Sequence, residues 1–210
     1  MTHTLHRRTV MEGFKDDFTL LCMASQGYND RGAGEKLKEI YRLVALSGPD
    51  NLADDNQGGR YTGLTDKGIL RKMGDKAYVG VAFTGKNRLK DALKKVRDAD
   101  LGMSVVVSGD YSSVFEVLKE LGLKPHTVNM SLGIFGNEGR LPPKNLLAIA
   151  TMCGHGMVPP KRIETVGEDV KRGECSAEEG GQRLAATCTC GIFNPKVAGK
   201  MLQKLSGQGE

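Results

Sequence analysis

Between residues 77 and 135 the apolar residues change period four times, and this alternation limits the fold more than any other feature of the chain. Residues 77–83 (AYVGVAF) and 103–107 (MSVVV) are short apolar runs with β-branched side chains, the composition of buried strands. Between them, residues 87–99 place Leu89, Ala92, Leu93 and Val96 on one helical face. Residues 111–121 do the same with Val114, Val117, Leu118 and Leu121, and Gly122 with Pro125 beyond it ends that helix. A third strand-like run, TVNMSLGIF, covers 127–135. Strand, helix, strand, helix, strand in this order predicts helices that cross over between parallel neighbours. The expected fold is α/β: a small mixed, largely parallel sheet with crossover helices, followed by a helical C-terminal region.

The flanks extend this reading. Residues 4–10 and 18–24 (FTLLCMA) read as strands, the second a buried one. Residues 35–46 put Leu37, Ile40, Tyr41 and Val44 on one helical face, and Ser47-Gly48-Pro49 stops it. The Gly-, Asp- and Asn-rich stretch 48–68 reads as a loop longer than ordinary connections, the kind that serves as a lid. After Gly136 the pattern becomes one of short helices, over 142–152 and from Pro160 to about Arg172. Ser176 and Glu179 have the spacing of a capping box, and Asn194-Pro195 supplies an N-cap followed by proline at the first helical position. We therefore expect an α/β domain over 1–136, with a long loop near 48–68, and a helical, cysteine-containing region over 137–210 packed on it.

Composition removes several function classes. With 39% hydrophobic and 26% charged residues among 210, the chain is globular in type. Lys and Arg total 30 against 25 Asp and Glu, and the excess is spread out. The densest basic stretch, 86–97, contains Asp91 and has helical spacing, as a solvated helix face does. With no tryptophan and 5% aromatics, base stacking has few candidates, so nucleic acid is not an expected partner. No run of about 18 apolar residues offers a membrane span, and the start has no apolar core of the kind an export signal needs. We expect a cytoplasmic protein, where structural disulfides are rare and closely spaced cysteines signal metal or redox chemistry.

Two doublets carry that signal: Cys153-Gly-His155-Gly and Cys188-Thr-Cys190-Gly. Both fall between predicted helices, with a small residue between the potential ligands and a glycine after them. Three thiolates and one imidazole form a common tetrahedral zinc set, and thiolates also hold iron–sulfur clusters. Cys153, His155, Cys188 and Cys190 are the candidate ligands, for zinc or an Fe–S cluster. Cys175, just before a capping serine, reads as a hydrophobic staple, and Cys22, inside an apolar run, as core. The same atoms allow a redox reading, with Cys190 as a thiol near a helix N-terminus, His155 as its base and Cys188 as resolving partner.

A second candidate site lies at the strand ends, where open α/β sheets bind ligands. Thr84, Gly85, Lys86 and Asn87 form one strand-to-helix turn, and Ser108, Gly109, Asp110 and Ser112 belong to the next. Each opens a helix whose N-terminus suits a small anion. The span Gly80 to Asn87 follows the phosphate-loop spacing through Lys86 but has Asn87 in place of the metal-binding hydroxyl. Asp110 also reads as a plain helix cap. His126, His3 and His6 are assigned no role. Two functions result. One is a metal- or iron–sulfur-binding accessory or redox protein, serving a redox or metalloenzyme partner. The alternative is a small-molecule-binding enzyme using the strand-end loops, with cysteines structural or nucleophilic.

Overall fold

The computed structural model describes residues 7–10, 12–131 and 133–207. Its centre is a five-stranded sheet of β1 (Asp17–Met23), β2 (Asn51–Asp54), β3 (Gly58–Gly59), β4 (Tyr78–Thr84) and β5 (Ser104–Ser108), in the order β3-β2-β4-β1-β5. Every pairing in it is antiparallel. The largely parallel sheet expected from the sequence is therefore incorrect, and the topology shows why. Helix α1 (Ala33–Ala45) connects β1 to β2, and α3 (Lys86–Ala99) connects β4 to β5. Each crossover skips one position, and the skipped position is filled by a strand of the other unit running the opposite way. This is the split βαβ arrangement, in which helical crossovers coexist with antiparallel ladders.

Two further expectations change. The stretch 48–68 is not a continuous loop: it contains β2, β3, a 3₁₀ turn at Arg60–Thr62 and the start of α2 (Asp66–Lys72). Residues 127–135, read as a third strand, join no ladder among the described residues, and 127–131 are exposed. Residues 127–131 follow α4 (Tyr111–Glu120) as an irregular segment held to that helix where the Tyr111 hydroxyl donates to the Asn129 carbonyl at 2.5 Å. Their β-branched composition is overridden by the lack of a packed face to rest on. Of residues 4–10, also read as a strand, 7–10 are irregular and the remainder, with His3 and His6, lie outside the described residues.

Strand alternation divides the interior in two. Phe18, Leu20 and Cys22 of β1 join Val79, Val81 and Phe83 of β4 and Leu52 of β2 on one face. Helices α1 and α3 cover that face with Leu37, Ile40, Tyr41, Val44, Leu89 and Ala92. The opposite face presents smaller or polar residues: Asp17, Thr19 and Leu21, then Gly80, Ala82 and Thr84, then Asn51 and Ala53. There a second apolar cluster collects α5 (Lys144–Ala150), α6 (Pro160–Lys171), α7 (Ala177–Ala185) and α8 (Pro195–Leu205). Helices α7 and α8 cross almost backbone to backbone, since a Cβ on Gly181 would stand 2.1 Å from the Pro195 carbonyl oxygen. Among the described residues no helix is long and apolar enough to cross a membrane.

Candidate metal centre

The two cysteine doublets sit in the turns that follow α5 and α7, and the second turn leans on the sheet. After α5, the chain turns through Cys153, His155 and Gly156, with the Gly156 N–H donating to the Cys153 carbonyl at 3.1 Å. After α7, residues 188–191 lie flat against β4 and β2. A Cβ on Gly80 would stand 1.8 Å from the Cys190 carbonyl oxygen, so only glycine at that point of β4 admits the loop. Gly191 is equally constrained: its φ is +74°, and a Cβ there would lie 2.6 Å from the Gly80 carbonyl and 2.7 Å from Ala53.

This docking brings the doublets together. Ligand atoms of Cys153, His155 and Cys190 all lie within 4.8 Å of one another, a group that could hold a metal ion. Cys188 adjoins it, its sulfur 3.3 Å from that of Cys190 and within hydrogen-bonding reach of Cys153. All three thiols are about 1% exposed, whereas His155 stands at the surface. The site is therefore a buried sulfur trio with an imidazole at its mouth.

Proximity sets the protonation. Three sulfurs in one buried spot cannot all ionise, so at most a single thiolate is favoured, and the hydrogen bonding favours Cys153. The Cys188 and Cys190 thiols and the backbone N–H groups of Met157 and His155 donate to it, which holds it well below the usual thiol range against the opposing effect of burial. The hydrogen bonding with Cys153, joined by burial, drives Cys190 up and pushes Cys188 up to about 12. A thiol nucleophile on Cys190 fits this poorly, because it is buried and the neighbouring sulfurs keep its proton in place. The sulfurs of Cys188 and Cys190 are unbonded to each other, and all five cysteines are free.

A polar network missed by the sequence reading surrounds the centre. The Arg7 guanidinium grips both oxygens of Asp17 at 2.8 and 2.6 Å and donates from one nitrogen to the Met152 and Ile192 carbonyls, each at 2.8 Å. Asn194 does more than cap α8. Its oxygen accepts from the Lys196 and Val197 N–H groups, and its amide donates to Asp17 at 3.0 Å and to Thr84 at 3.1 Å. Asn51 donates to the Phe193 carbonyl at 2.9 Å. An Asn-Pro cap was legible, but the fold alone shows what else the asparagine holds.

The other candidates end elsewhere. Cys22 lies in the opposite core and cannot reach the doublets, while Cys175 is buried outside the group. Thr84 is engaged by Asn194, the Gly85 N–H by the Asp16 carbonyl, and Lys86 by Glu116 at 2.6 Å, while Asn87 is exposed. Asp110 caps α4, accepting from the Ser113 N–H at 3.0 Å and from the Ser112 hydroxyl. A cleft of about 940 Å³ runs along β5 and α4 and takes in Ser108, Gly109 and Asp110, but none of Thr84–Asn87. The two strand-end loops are therefore not both in this cleft. No family model, curated protein or solved structure matches this chain significantly.

Proposed function

We propose that the protein binds a single divalent metal ion, zinc by preference, through Cys153, Cys188, Cys190 and His155. The observation that carries this reading is the convergence of turns 35 residues apart: the ligand atoms of Cys153, His155 and Cys190 lie within 4.8 Å of one another, and the Cys188 sulfur stands 3.3 Å from that of Cys190. A tetrahedral ion with bonds of about 2.0–2.3 Å places its ligand atoms roughly 3.4–3.8 Å apart, so the group needs little movement to close on one ion. A [4Fe–4S] cluster attaches each thiolate to a different iron and a [2Fe–2S] cluster divides its four ligands between two irons, so either spreads the set further than one ion does, and the compactness favours a mononuclear centre. Three thiolates with one imidazole are also a soft donor set suited to zinc.

The ion's role is to fasten the C-terminal helices to one another and to the sheet, since its ligands straddle the turns after α5 and α7. Metal binding displaces the thiol protons, so the raised Cys188 and Cys190 become thiolates only in the loaded protein. The test is anaerobic purification followed by measurement of metal, iron, acid-labile sulfide and free thiols. One zinc per chain is the expected result. Iron with stoichiometric sulfide would replace the mononuclear reading by a cluster, and five reactive thiols without metal would overturn both.

A further inference from the structure

We propose that Arg7 is a positioning residue for this metal centre, setting the distance between its two ligand-bearing turns; the inference rests on the metal reading above. Among the described residues no backbone hydrogen bond joins the turn at 153–157 to the turn at 188–193. The guanidinium bridges them. One of its nitrogens holds the carbonyl of Met152, immediately before Cys153, and that of Ile192, two residues after Cys190. Its other two nitrogens are fixed on Asp17, which β1 supplies from the sheet and which Asn194 also holds. The side chains of Arg7 and Asp17 are 3% and 0% exposed.

The choice of arginine follows from geometry. A buried ion pair is poor value for stability alone, because well-packed apolar residues do as well. A planar fork with donors at fixed angles can bind a carboxylate through two nitrogens while spacing two carbonyls, and a lysine ammonium, a single point, cannot span the same four acceptors. Since Asp17 matches its charge, Arg7 contributes shape to the site more than field. It thus acts on the ion through Cys153 and Cys190, as outer-shell groups act through the ligands they orient.

The test compares full-length wild type with Arg7→Lys, Arg7→Met and the double variant Arg7→Met, Asp17→Asn, the last leaving no unpaired buried charge. Zinc affinity is measured by competition with a chelator, the visible spectrum of the cobalt(II)-loaded protein reports the tetrahedral thiolate geometry, and circular dichroism checks the fold. Each folded variant is expected to bind zinc about 10–100-fold more weakly, with altered cobalt bands. Zinc affinity within twofold of wild type and an unchanged cobalt spectrum would overturn the proposal. So would unfolding of all three variants irrespective of metal, which would make Arg7 a purely structural residue. A wild type that binds neither zinc nor cobalt is a different failure, that of the metal site itself.

Discussion

The two faces of the sheet are finished in different ways. On the α1/α3 face, large side chains such as Phe18, Phe83, Tyr41 and Leu37 interdigitate beneath helices of 13 and 14 residues. On the other face the helices run to 7, 12, 9 and 11 residues, and the sheet offers them Gly80, Ala82 and Ala53. Short helices have little stability of their own, and small side chains bring little apolar area. That side makes up the difference with close backbone approach, a buried polar network and three thiols at one point. A core built from side-chain area tolerates local loss, whereas one built from close backbone approach and a buried polar network depends on a few atoms.

If the proposed metal reading holds, the largest effect comes from chelation. With free zinc at about a thousand times its dissociation constant, binding adds roughly 4 kcal/mol to stability. For a chain of this size that corresponds to a midpoint lower by roughly 8–16 °C after chelation. Amide exchange should rise first in α5–α8 while β1, β4, α1 and α3 keep their protection. Cys153→Ser should do the same without chelator. Exchange that rises evenly through both faces would show that the ion does not fasten the second one.

Next in size is Gly80→Ala. In a strand this change ordinarily helps, by about 0.5–1 kcal/mol, through the unfolded chain. Here the added carbon meets the Cys190 carbonyl at 1.8 Å, with backbone on both sides and nothing to swing away. Because the clash is with backbone, we expect a loss beyond the ~1–3 kcal/mol of ordinary overpacking, and weaker metal binding. Gly74→Ala is the control, since a Cβ there meets nothing within 4 Å and Gly74 is not among the glycines of positive φ. Urea denaturation that leaves Gly80→Ala as stable as Gly74→Ala would mean that the cysteine turn is not seated on β4.

Asn194→Ala should follow. It removes the cap of α8 and leaves Asp17 and Thr84 short of a partner, about 2–4 kcal/mol together. Ser176→Ala in α7 loses one exposed cap bond and should cost about 1 kcal/mol. Equal losses in the two variants would mean that the buried network around Asp17 adds nothing beyond capping.

Local pattern carried the elements and failed on their neighbours. The runs behind β1, β4 and β5 and the faces of α1, α3 and α4 are periodic within a dozen residues, so they read directly. Pairing direction is decided by which strand fills the gap under a crossover, and no periodicity within 77–107 records that β1 lies between β4 and β5. The doublets were legible as ligands because their residue types and spacing are local. Their meeting depends on Gly80 receiving Cys190, residues 110 positions apart. Arg7 had no signal at all: one arginine in a polar stretch looks the same whether it waves in water or bridges two carbonyls.

The smallest expected effect lies on the α1 side, at Asp66. Asp66, at the start of α2, accepts from Arg60 at 2.9 and 2.7 Å and from the Tyr41 hydroxyl at 3.0 Å. The Arg60 hydrogen bonds hold its carboxyl below the usual carboxylate range. A depressed folded-state value means stability that is complete above the unfolded value, near pH 4, and is lost as pH falls through the folded one. Asp66→Asn should therefore flatten the acid limb of the stability profile below about pH 4 and leave zinc affinity at neutral pH unchanged. The pair is partly exposed, so the change is small and should shrink further in salt. Thermal melts from pH 2.5 to 7 would show it, and a change in metal affinity at pH 7 would mean that the two faces are coupled through α2 and Tyr41.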